Sequence, residues 1–296
     1  MRLTGISPSL PRSPHLLLAL VVVIWAGAFA AIKQLLHDGL AAPDIALGRY
    51  LIAAPGFVAA LVVTRGIPGL DRRDLLRLVA AGVLVVAVYH LSLNAGERLT
   101  TAGTASVVVA SAPGMTLAMV LAIGQERFSR RRALGLAVSF AGVVEVVLLG
   151  SGQRISFHDA RGPLLVLAAP IAFAAYNVIV KPLLQRHGAV AVTAAASLVG
   201  TVALLPFASA GAVRRVSDLH AGGVVLLLYL GLAATLGGYL GWTLGLRWLD
   251  ASRTSAYLYG VPVVAIVIGA LTLGEHVTIW LGLGAALVVA GVAMAQ

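Results

Sequence analysis

The chain has 296 residues, of which 60% are hydrophobic and only 11% charged, and its mean hydropathy is +0.99. Soluble domains carry roughly 25% charged residues, so this composition excludes an ordinary water-soluble domain. Without cysteine, the chain has no disulfides, thiolate metal sites or cysteine nucleophiles. The formal net charge of +10 does not indicate nucleic-acid binding, because the basic residues lie mostly in short gaps between apolar runs.

Ten apolar runs follow one another along the chain, each with about the 20 residues that a helix needs to cross a membrane. The strict alternation of apolar and polar residues that is typical of a membrane β-barrel is absent from the sequence. The sequence therefore predicts an all-α membrane protein with ten transmembrane helices, called spans 1 to 10 below. The predicted limits are 16–36, 44–64, 75–95, 102–123, 133–150, 163–182, 190–209, 222–246, 254–273 and 277–295.

The first residues, MRLTGISPSLPRSPHLLLALVVVIWAGAFA, imitate a secretory signal peptide, with a basic region, an apolar region and small residues. The apolar run continues to Leu36, and more spans follow it. We therefore expect this segment to be span 1 rather than a cleaved leader.

The distribution of basic residues predicts the orientation of the bundle. With a cytoplasmic N-terminus, 14 lysines and arginines fall in cytoplasmic segments and 6 in external segments. Both termini are therefore predicted to be cytoplasmic, in the inner (cytoplasmic) membrane of a bacterium. The densest basic patch, QERFSRRRALG, is then a cytoplasmic turn between spans 4 and 5, where anionic lipid explains it better than catalysis.

The two halves of the chain resemble each other. At an offset of 149, 12 of the 48 positions from 96 to 143 are identical, against roughly one in ten expected by chance. The identical pairs that carry most weight are Arg98 with Arg247, Pro113 with Pro262, and Glu126 with Glu275. At an offset of 148, Lys33 aligns with Lys181, and these are the chain's only lysines.

The repeat predicts two inverted five-helix units, 16–150 and 163–295. Five is an odd number, so the second unit enters the membrane from the opposite side. Inverted repeats are typical of secondary transporters, in which exchanging the roles of the two halves gives one conformation open to each side.

The quoted segments resemble a known family. Each half has a span with a central proline, a turn (IGQERFS, TLGEHVT) and a glycine-rich span ending in AGV. These features, with WAGAFAAIK in span 1 and RY in span 2, resemble the EamA-type ten-helix exporters of the drug/metabolite transporter superfamily. The resemblance implies a central cavity lined by spans 1, 3, 4, 6, 8 and 9, with spans 5 and 10 peripheral. It also implies export of amino acids or other small metabolites, and one subgroup exports aromatic amino acids.

Prolines and glycines inside the spans are candidate hinges. A proline frees a backbone carbonyl, which is tolerated in a membrane helix where neighbours or water satisfy it. Pro113, with Gly114 beside it, and Pro262 hold equivalent places in spans 4 and 9, as hinges or as static packing kinks. Span 8 carries a stripe of small residues that forms either a sliding contact or a permanent one; its members are Gly237, Gly241 and Gly245.

Aromatic and polar side chains within the spans are the candidates for substrate binding, because polar groups are costly in a membrane. Rings suit an apolar substrate moiety, whereas amides and imidazole suit polar groups. For the polar candidates a hydrogen bond between helices is an equal alternative, and the aromatic ones are otherwise interfacial anchors. The predicted substrate-binding residues are Trp25, Tyr89, His90, Asn94, Tyr176, Asn177, Tyr239, Trp242 and Tyr257.

Charged residues near the span ends have two interpretations. Lys33 and Lys181 fall at opposite sides of the membrane, where they serve as gate charges or snorkel to the interface. Arg49 has a similar role or pairs with Asp44. Glu145 in span 5 pairs with another helix or with a second protomer.

The spans expected to line the cavity contain no deep carboxylate, which argues against a proton/cationic-drug antiporter. His90 is then the remaining candidate for a titrating group, and proton coupling stays open.

Motifs for other chemistry are absent from the sequence. Without GxxxxGK[ST] or HExxH, we predict no ATP-driven pump, no metal, no cofactor and no enzyme. The expected partners are the lipid bilayer and a small-molecule substrate, with no nucleic acid, for a monomer or a homodimer. The alternatives are export of another metabolite or drug, such as a nucleoside or sugar derivative, and a structural or sensory membrane protein. An intramembrane lipid enzyme would need a cluster of carboxylates or histidines near one interface, and none is evident.

Overall fold

The computed structural model describes residues 14–124, 129–149, 160–248 and 257–295, and all regular structure in these ranges is helical. Eight of the described helical segments are long and apolar enough to cross a membrane, and two shorter apolar segments follow them. This arrangement confirms the predicted all-α, ten-span class. The spans are Pro14–His37, Ala42–Val63, Arg72–Glu97, Ala102–Ala122, Arg130–Leu149, Arg161–His187, Ala189–Phe207, Ala221–Gly245, Tyr257–Leu273 and Ile279–Met294.

Spans 3 and 8 each contain a π-helical segment. In span 3 it is Val83–Val88, which lies between the α-helices Arg72–Gly82 and Tyr89–Glu97. The π segment of span 8 overlaps the equivalent positions at the offset of 149. It is Tyr229–Gly237, between Ala221–Leu228 and Gly238–Trp248. π-Segments are rare and frequently mark functional sites, so their occurrence at matching places singles out these two spans.

Spans 4 and 9 are also interrupted. Span 4 consists of the helices Ala102–Val109 and Ala112–Ala122, and span 9 of a 3₁₀ turn, Tyr257–Tyr259, followed by Gly260–Leu273. The predicted hinge prolines are therefore not in the middle of continuous helices. Pro113 and Pro262 lie in the first turn of a half-helix, where the missing N–H has no partner to lose.

The remaining helices stabilise the periphery. Span 7 ends in the 3₁₀ turn Leu205–Phe207, and the short helix Ala212–Ser217 lies between spans 7 and 8. Arg215 in this short helix donates to the carboxylate of Asp44 at 2.8 Å, and Ser209 donates to the same carboxylate at 2.6 Å. The segment before span 8 is thereby tied to the start of span 2.

Close contacts that a span of the first repeat makes with the second repeat have equivalents in which the two repeats change places. A Cβ added to Gly96 of span 3 would lie 2.6 Å from Val166 in span 6. At the equivalent place, a Cβ added to Gly245 of span 8 would lie 2.5 Å from Leu18 in span 1.

A second exchanged pair of contacts joins the inner spans. Gly82 of span 3 lies close to Gly200 of span 7. A Cβ added to Gly82 would lie only 2.5 Å from the carbonyl oxygen of Ala196. Gly231 of span 8 approaches Ile52 of span 2 in the same way. Each repeat therefore packs its third span on the first and second spans of the other. Such an exchange of contacts is what a two-fold relation between the two repeats produces.

The glycine stripe of span 8 differs by one residue from the prediction. Gly241 and Gly245 make the close helix contact, against span 1, but Gly237 does not. Gly238 takes the third place, directly against the Trp25 ring. The reason is that Gly237 is the last residue of the π segment, whose wider turn shifts the helical register.

Charged groups fasten the ends of the bundle. The buried carboxylate of Asp74 accepts hydrogen bonds from Arg186 at 2.7 Å and pairs with the ring of His187 at 3.0 Å, which joins the start of span 3 to the end of span 6. Just before span 3, Asp71 accepts the backbone N–H of Asp74, and this bond lowers the pKa of the Asp71 carboxyl.

The corresponding ends of the other repeat are also paired. Asp38 at the end of span 1 lies 3.8 Å from His220 at the start of span 8. The charges change places between the two pairs. The acid lies at the end of span 1 and the base before span 8, whereas in the other pair the bases lie at the end of span 6 and the acid in span 3.

Candidate substrate cavity

A cavity of about 490 Å³ lies between the spans. Its described lining comes from spans 1, 3, 4, 6, 8 and 9, as the resemblance implied, and spans 5 and 10 contribute no described residue to it. Two further spans also reach it, which the sequence analysis did not predict. Span 2 contributes Arg49, and span 7 contributes Ala189 and Thr193.

Spans 1 and 6 present the same helical face to the cavity. Each of the four lining residues of span 1 has its repeat mate, at the offset of 148, in the lining of span 6, which contributes Leu184 in addition. The pairs are Trp25 with Phe173, Ala28 with Tyr176, Phe29 with Asn177, and Ile32 with Val180.

The interruptions of spans 4 and 9 also face the cavity at equivalent places. Val109 and Leu258 line it before the two half-helices, and Pro113 lines it within the first turn of span 4's second helix. Since proline has no N–H, the carbonyl of Val109 lacks the donor four residues ahead of it. The predicted roles of Pro113, Gly114 and Pro262 in movement stay predictions.

Aromatic rings form much of the wall. The Trp25 indole donates to the carbonyl of Ala234 at 3.0 Å, which fixes the ring against span 8. Its centroid lies 5.4 Å from that of Trp242 and 6.0 Å from that of Tyr239. On another side, the rings of Tyr89 and Phe173 lie 6.1 Å apart. The cavity can therefore enclose an apolar or planar group between rings.

A buried polar network occupies one wall. The Nε of Arg49 donates to the hydroxyl of Thr235 at 2.8 Å, and its Nη1 lies 3.4 Å from Nδ1 of His90. The other ring nitrogen of His90 lies 3.0 Å from the hydroxyl of Tyr50. This geometry fits a tautomer in which Nδ1 accepts from the guanidinium and Nε2–H donates to Tyr50.

Seven of the nine predicted substrate-binding residues line the cavity. They are Trp25, Tyr89, His90, Tyr176, Asn177, Tyr239 and Trp242. Their contact with substrate remains a prediction.

The other two predicted residues lie elsewhere. Asn94 is fully buried and donates to the carbonyl of Ala42 at 3.0 Å, so it takes the alternative role of a bond between helices. The hydroxyl of Tyr257 pairs with the ring of His15, and Tyr257 is not part of the cavity wall.

Lys33, Glu97 and Glu275 lie together where the two repeats meet, outside the cavity lining, and we call this contact region the seam. The Lys33 ammonium donates to the carbonyls of Glu97 at 2.9 Å and Thr100 at 2.7 Å. Across the same seam, the carboxylate of Glu275 accepts the N–H groups of Ala102 at 2.7 Å and Gly103 at 3.1 Å. Glu275 thereby caps the N-terminus of span 4 from the second repeat.

Glu97 corrects the expectation that the cavity-lining spans contain no deep carboxylate. Span 3 continues to Glu97, two residues beyond its predicted limit, and the side chain is fully buried. Neither carboxylate oxygen has a hydrogen-bond partner in the described ranges.

The other predicted charges are placed differently. Lys181 is exposed near the opposite end of the bundle and has no ion pair or hydrogen bond with any described residue. Arg49 does not pair with Asp44, whose carboxylate is taken by Arg215. Glu145 is half-buried and has no partner within the described ranges, and Glu126 lies outside them.

Nothing in the described part of the chain groups three metal-ligating side chains into a cation site. A bundle of ten membrane helices around an aromatic cavity with a few convergent polar groups defines a multi-pass membrane protein with a small-molecule site.

Comparison with known proteins names the family. The EamA-like transporter family model matches residues 12–148 and again 160–295, and the chain belongs to this family. It is 32% identical over 277 residues to an uncharacterized transporter of Archaeoglobus fulgidus, with 94% of this chain and 96% of the relative covered.

Two further relatives carry names that mention a substrate. A probable terminal-alkyne amino-acid exporter of Streptantibioticus cattleyicolor is 32% identical, with 93% of this chain and 90% of the relative covered. A probable amino-acid metabolite efflux pump of Salmonella typhimurium is 28% identical, with 95% and 93% covered. One solved crystal structure, 17% identical, matches 96% of both chains with a TM-score of 0.62 and shares the fold.

The groups that sequence reasoning missed include Thr235 and Phe173 at this site and Glu97 in the neighbouring seam. Thr235, which holds Arg49, sits in an apolar stretch and gives no signal beyond its hydroxyl. Glu97 lies two residues beyond the predicted end of span 3, so nothing in the sequence indicates that it is buried. Phe173 had a usable signal, because it is the repeat mate of Trp25.

Proposed function

We propose that the protein is a secondary transporter that exports amino acids with aromatic or bulky apolar side chains across a bacterial cytoplasmic membrane by alternating access. The observation that carries this proposal is the cavity itself. Its volume of about 490 Å³ lies within the ~300–1,000 Å³ typical of small-molecule sites. Its walls combine tilted and edge-to-face aromatic rings with a buried polar network around Arg49.

The names of the relatives support the substrate class. Two relatives that each span more than nine-tenths of this chain are named as a probable exporter or efflux pump for amino acids or amino-acid metabolites. An amino acid has an apolar side chain for the rings and a compact polar end for the network. Transport of this kind moves the solute without chemical conversion.

Alternating access is supported by the position of the cavity relative to the seam. The seam of Lys33, Glu97 and Glu275 bars one end, whereas the cavity lining extends to Leu184 and Ala189, at the turn between spans 6 and 7. The charge distribution predicts that this turn is cytoplasmic. The structure then corresponds to a state that faces the cytoplasm, and exchange of the two repeats produces the state that faces outward.

A nucleoside or sugar derivative fits the cavity less well. Such a solute carries several hydroxyls, and each hydroxyl that is buried without a partner costs free energy. Among the polar groups of the lining, the hydroxyls of Ser106, Thr116 and Thr243 already donate to backbone carbonyls, which leaves few free donors for a ring of hydroxyls.

Counterflow in liposomes tests the proposal. Purified protein is reconstituted into liposomes loaded with unlabelled phenylalanine or leucine, and uptake of the same labelled amino acid is measured beside aspartate and lysine. We expect exchange of the two apolar amino acids and little exchange of the charged ones. An absence of exchange for every amino acid would refute the proposed function.

A pair of matched variants assigns the exchange to the cavity. Ala110→Trp places a large ring in the cavity lining, whereas Val225→Trp places the same ring on a residue that is 62% exposed at the outside of the bundle. Blocked exchange is expected only in the first variant. Equal exchange in both variants would show that solute takes another route.

A further inference from the structure

Arg49 is a charged residue buried inside the bundle, and no described carboxylate forms an ion pair with it. It lies in span 2, is 4% exposed, and lines the cavity. A charge within a membrane span is costly, and such residues usually pair with a partner of opposite charge or serve function. The buried carboxylate of Glu97 interacts with Arg49 electrostatically but makes no ion pair or hydrogen bond with it.

The carboxylate nearest to it along span 2 is already occupied. Asp44 binds Arg215 at 2.8 Å and Ser209 at 2.6 Å, outside the cavity. The Arg49 guanidinium has only uncharged partners, the hydroxyl of Thr235 and the imidazole of His90. These partners orient the group but do not neutralise it.

The two partners of the Arg49 guanidinium are themselves held by further hydrogen bonds, which fixes the orientation of the guanidinium. The hydroxyl of Thr235 donates to the carbonyl of Leu230 at 2.7 Å, so its lone pairs are left to accept from Nε of Arg49. His90 is held in turn by the hydroxyl of Tyr50. A guanidinium has five N–H donors, and two take these partners, so three remain for a ligand in the cavity.

The position of the charge is asymmetric. The repeat mate of Arg49 at the offset of 148 is Ser197, which is buried and uncharged. Spans 1 and 6 place four pairs of repeat mates in the wall, whereas Arg49 is the one arginine or lysine among the described lining residues, so the fixed positive charge that they provide lies on one side. A solute with one anionic end would therefore enter in a single orientation.

We propose that Arg49 binds the carboxylate of the transported solute and that a carboxylate is the obligatory part of the substrate, a statement that rests on the proposed transport of amino acids. A planar guanidinium can donate two parallel N–H bonds to a carboxylate, and such charge-assisted pairs are about twice as strong as neutral hydrogen bonds. The apolar part of the solute then lies against the rings of Trp25, Phe29 and Phe173.

The test compares ligands that differ only at the polar end. Purified wild-type protein is heated with phenylalanine, 3-phenylpropionate, which lacks the amino group, or phenethylamine, which lacks the carboxylate. The leucine analogues 4-methylpentanoate and isopentylamine are measured in the same way. We expect thermal stabilisation by the amino acids and carboxylates, because a ligand that binds the folded state raises its stability, and none by the amines. Stabilisation by the amines equal to that by the carboxylates would overturn the proposal.

Variants locate the recognition. Arg49→Gln is expected to weaken carboxylate binding by about tenfold or more, and Arg49→Lys to restore part of it. The control Arg161→Gln removes an exposed arginine at the start of span 6 and should bind as the wild type does. If Arg49→Gln still favours carboxylates over amines, the assignment to Arg49 is wrong. If this variant does not fold, the wild-type comparison of acids with amines still decides whether a carboxylate is required.

The binding assay separates this proposal from the transport proposal. Stabilisation by carboxylates that is lost in Arg49→Gln, without any exchange in liposomes, would support recognition by Arg49 and refute transport. Exchange of amino acids with equal binding of amines would support transport and refute the carboxylate requirement.

Discussion

His90 and Tyr239 occupy the same position in the two repeats, and both meet the hydroxyl of Tyr50. That hydroxyl lies 3.0 Å from Nε2 of His90 and 3.5 Å from the hydroxyl of Tyr239. Each of the two residues follows a π segment by two positions. Because π turns are wider than α turns, they alter which side chains face the bundle centre. One side chain of span 2 therefore joins the polar groups that the two repeats direct at the cavity.

Removing the Tyr50 hydroxyl should destabilise the protein. Tyr50→Phe keeps the ring but leaves Nε2 of His90 without its partner. The expected cost is about 1–3 kcal/mol, seen as a lower unfolding temperature in detergent. Tyr259→Phe is the matched control, since the Tyr259 hydroxyl is buried with no partner in the described ranges. Equal losses in the two variants would show that the network around His90 contributes nothing.

The prolines of spans 4 and 9 are expected to matter for movement rather than for assembly. Pro113→Ala and Pro262→Ala each supply an N–H that can bond the free carbonyl four residues earlier, which favours one continuous helix. We expect slower exchange in liposomes with near-normal expression. Pro55→Ala is the control, because Pro55 lies inside span 2, is exposed, and does not line the cavity. Unchanged rates in both test variants would remove the hinge assignment.

Much of the cavity was predictable because the chain repeats. Once span 1 and span 6 are aligned by their lysines, Trp25 predicts the position of Phe173 on the opposite wall. Apolar periodicity likewise predicts the number of spans, since lipid demands about 20 apolar residues for each.

The features that sequence reasoning did not predict depend on local backbone geometry and on tertiary contacts. The π segments lie in uniformly apolar runs such as Val83–Val88, where no residue type distinguishes an i→i+5 bond from an i→i+4 bond. Whether Arg49 pairs with Asp44 depends on Arg215, a residue of another segment that reaches the same carboxylate. Glu97 follows the apolar run of span 3, and only the packing of other spans shows that it is buried.

The buried carboxylate of Asp74 should be important for stability. Arg186 and His187 both contact it, and because the Arg186 side chain is half exposed, we expect a loss of about 1.5–3 kcal/mol, as for hydrogen bonds to a charged group. Asp74→Asn is expected to lower the unfolding temperature clearly. Asp218→Asn is the control, since Asp218 and Arg214 form an exposed pair, which is worth about 0–1 kcal/mol. A similar effect of both changes would show that the contacts of Asp74 with span 6 do not stabilise the protein.

The inverted architecture predicts opposite accessibility for two repeat mates. Ser129 accepts the backbone N–H of Arg132 before span 5, and Thr278 accepts that of Leu281 before span 10. The chain has no cysteine, so Ser129→Cys and Thr278→Cys each introduce a single thiol. A membrane-impermeant reagent added to intact cells should label position 278 and leave position 129 unlabelled. Labelling of both positions from the same side would refute the inverted orientation.

The seam between the repeats should open more often when Glu275 loses its charge. Its carboxylate accepts two N–H groups at the start of span 4, and a helix cap of this kind contributes about 0.5–2 kcal/mol. Glu275→Gln weakens the cap because a neutral amide interacts less with the positive end of the helix. A thiol introduced by Thr100→Cys, beside Lys33 in the seam, should then react faster with a soluble reagent in the Glu275→Gln background.

Glu145→Gln is the matched control, since Glu145 is half-buried in span 5 and has no partner among the described residues. It should leave the reaction rate at position 100 unchanged. Lys33→Met is expected to act in the same direction as Glu275→Gln, because it removes the two bonds from span 1 to the turn between spans 3 and 4. If neither seam variant accelerates the reaction, these contacts do not hold this end of the bundle closed, and the proposed gate must lie elsewhere.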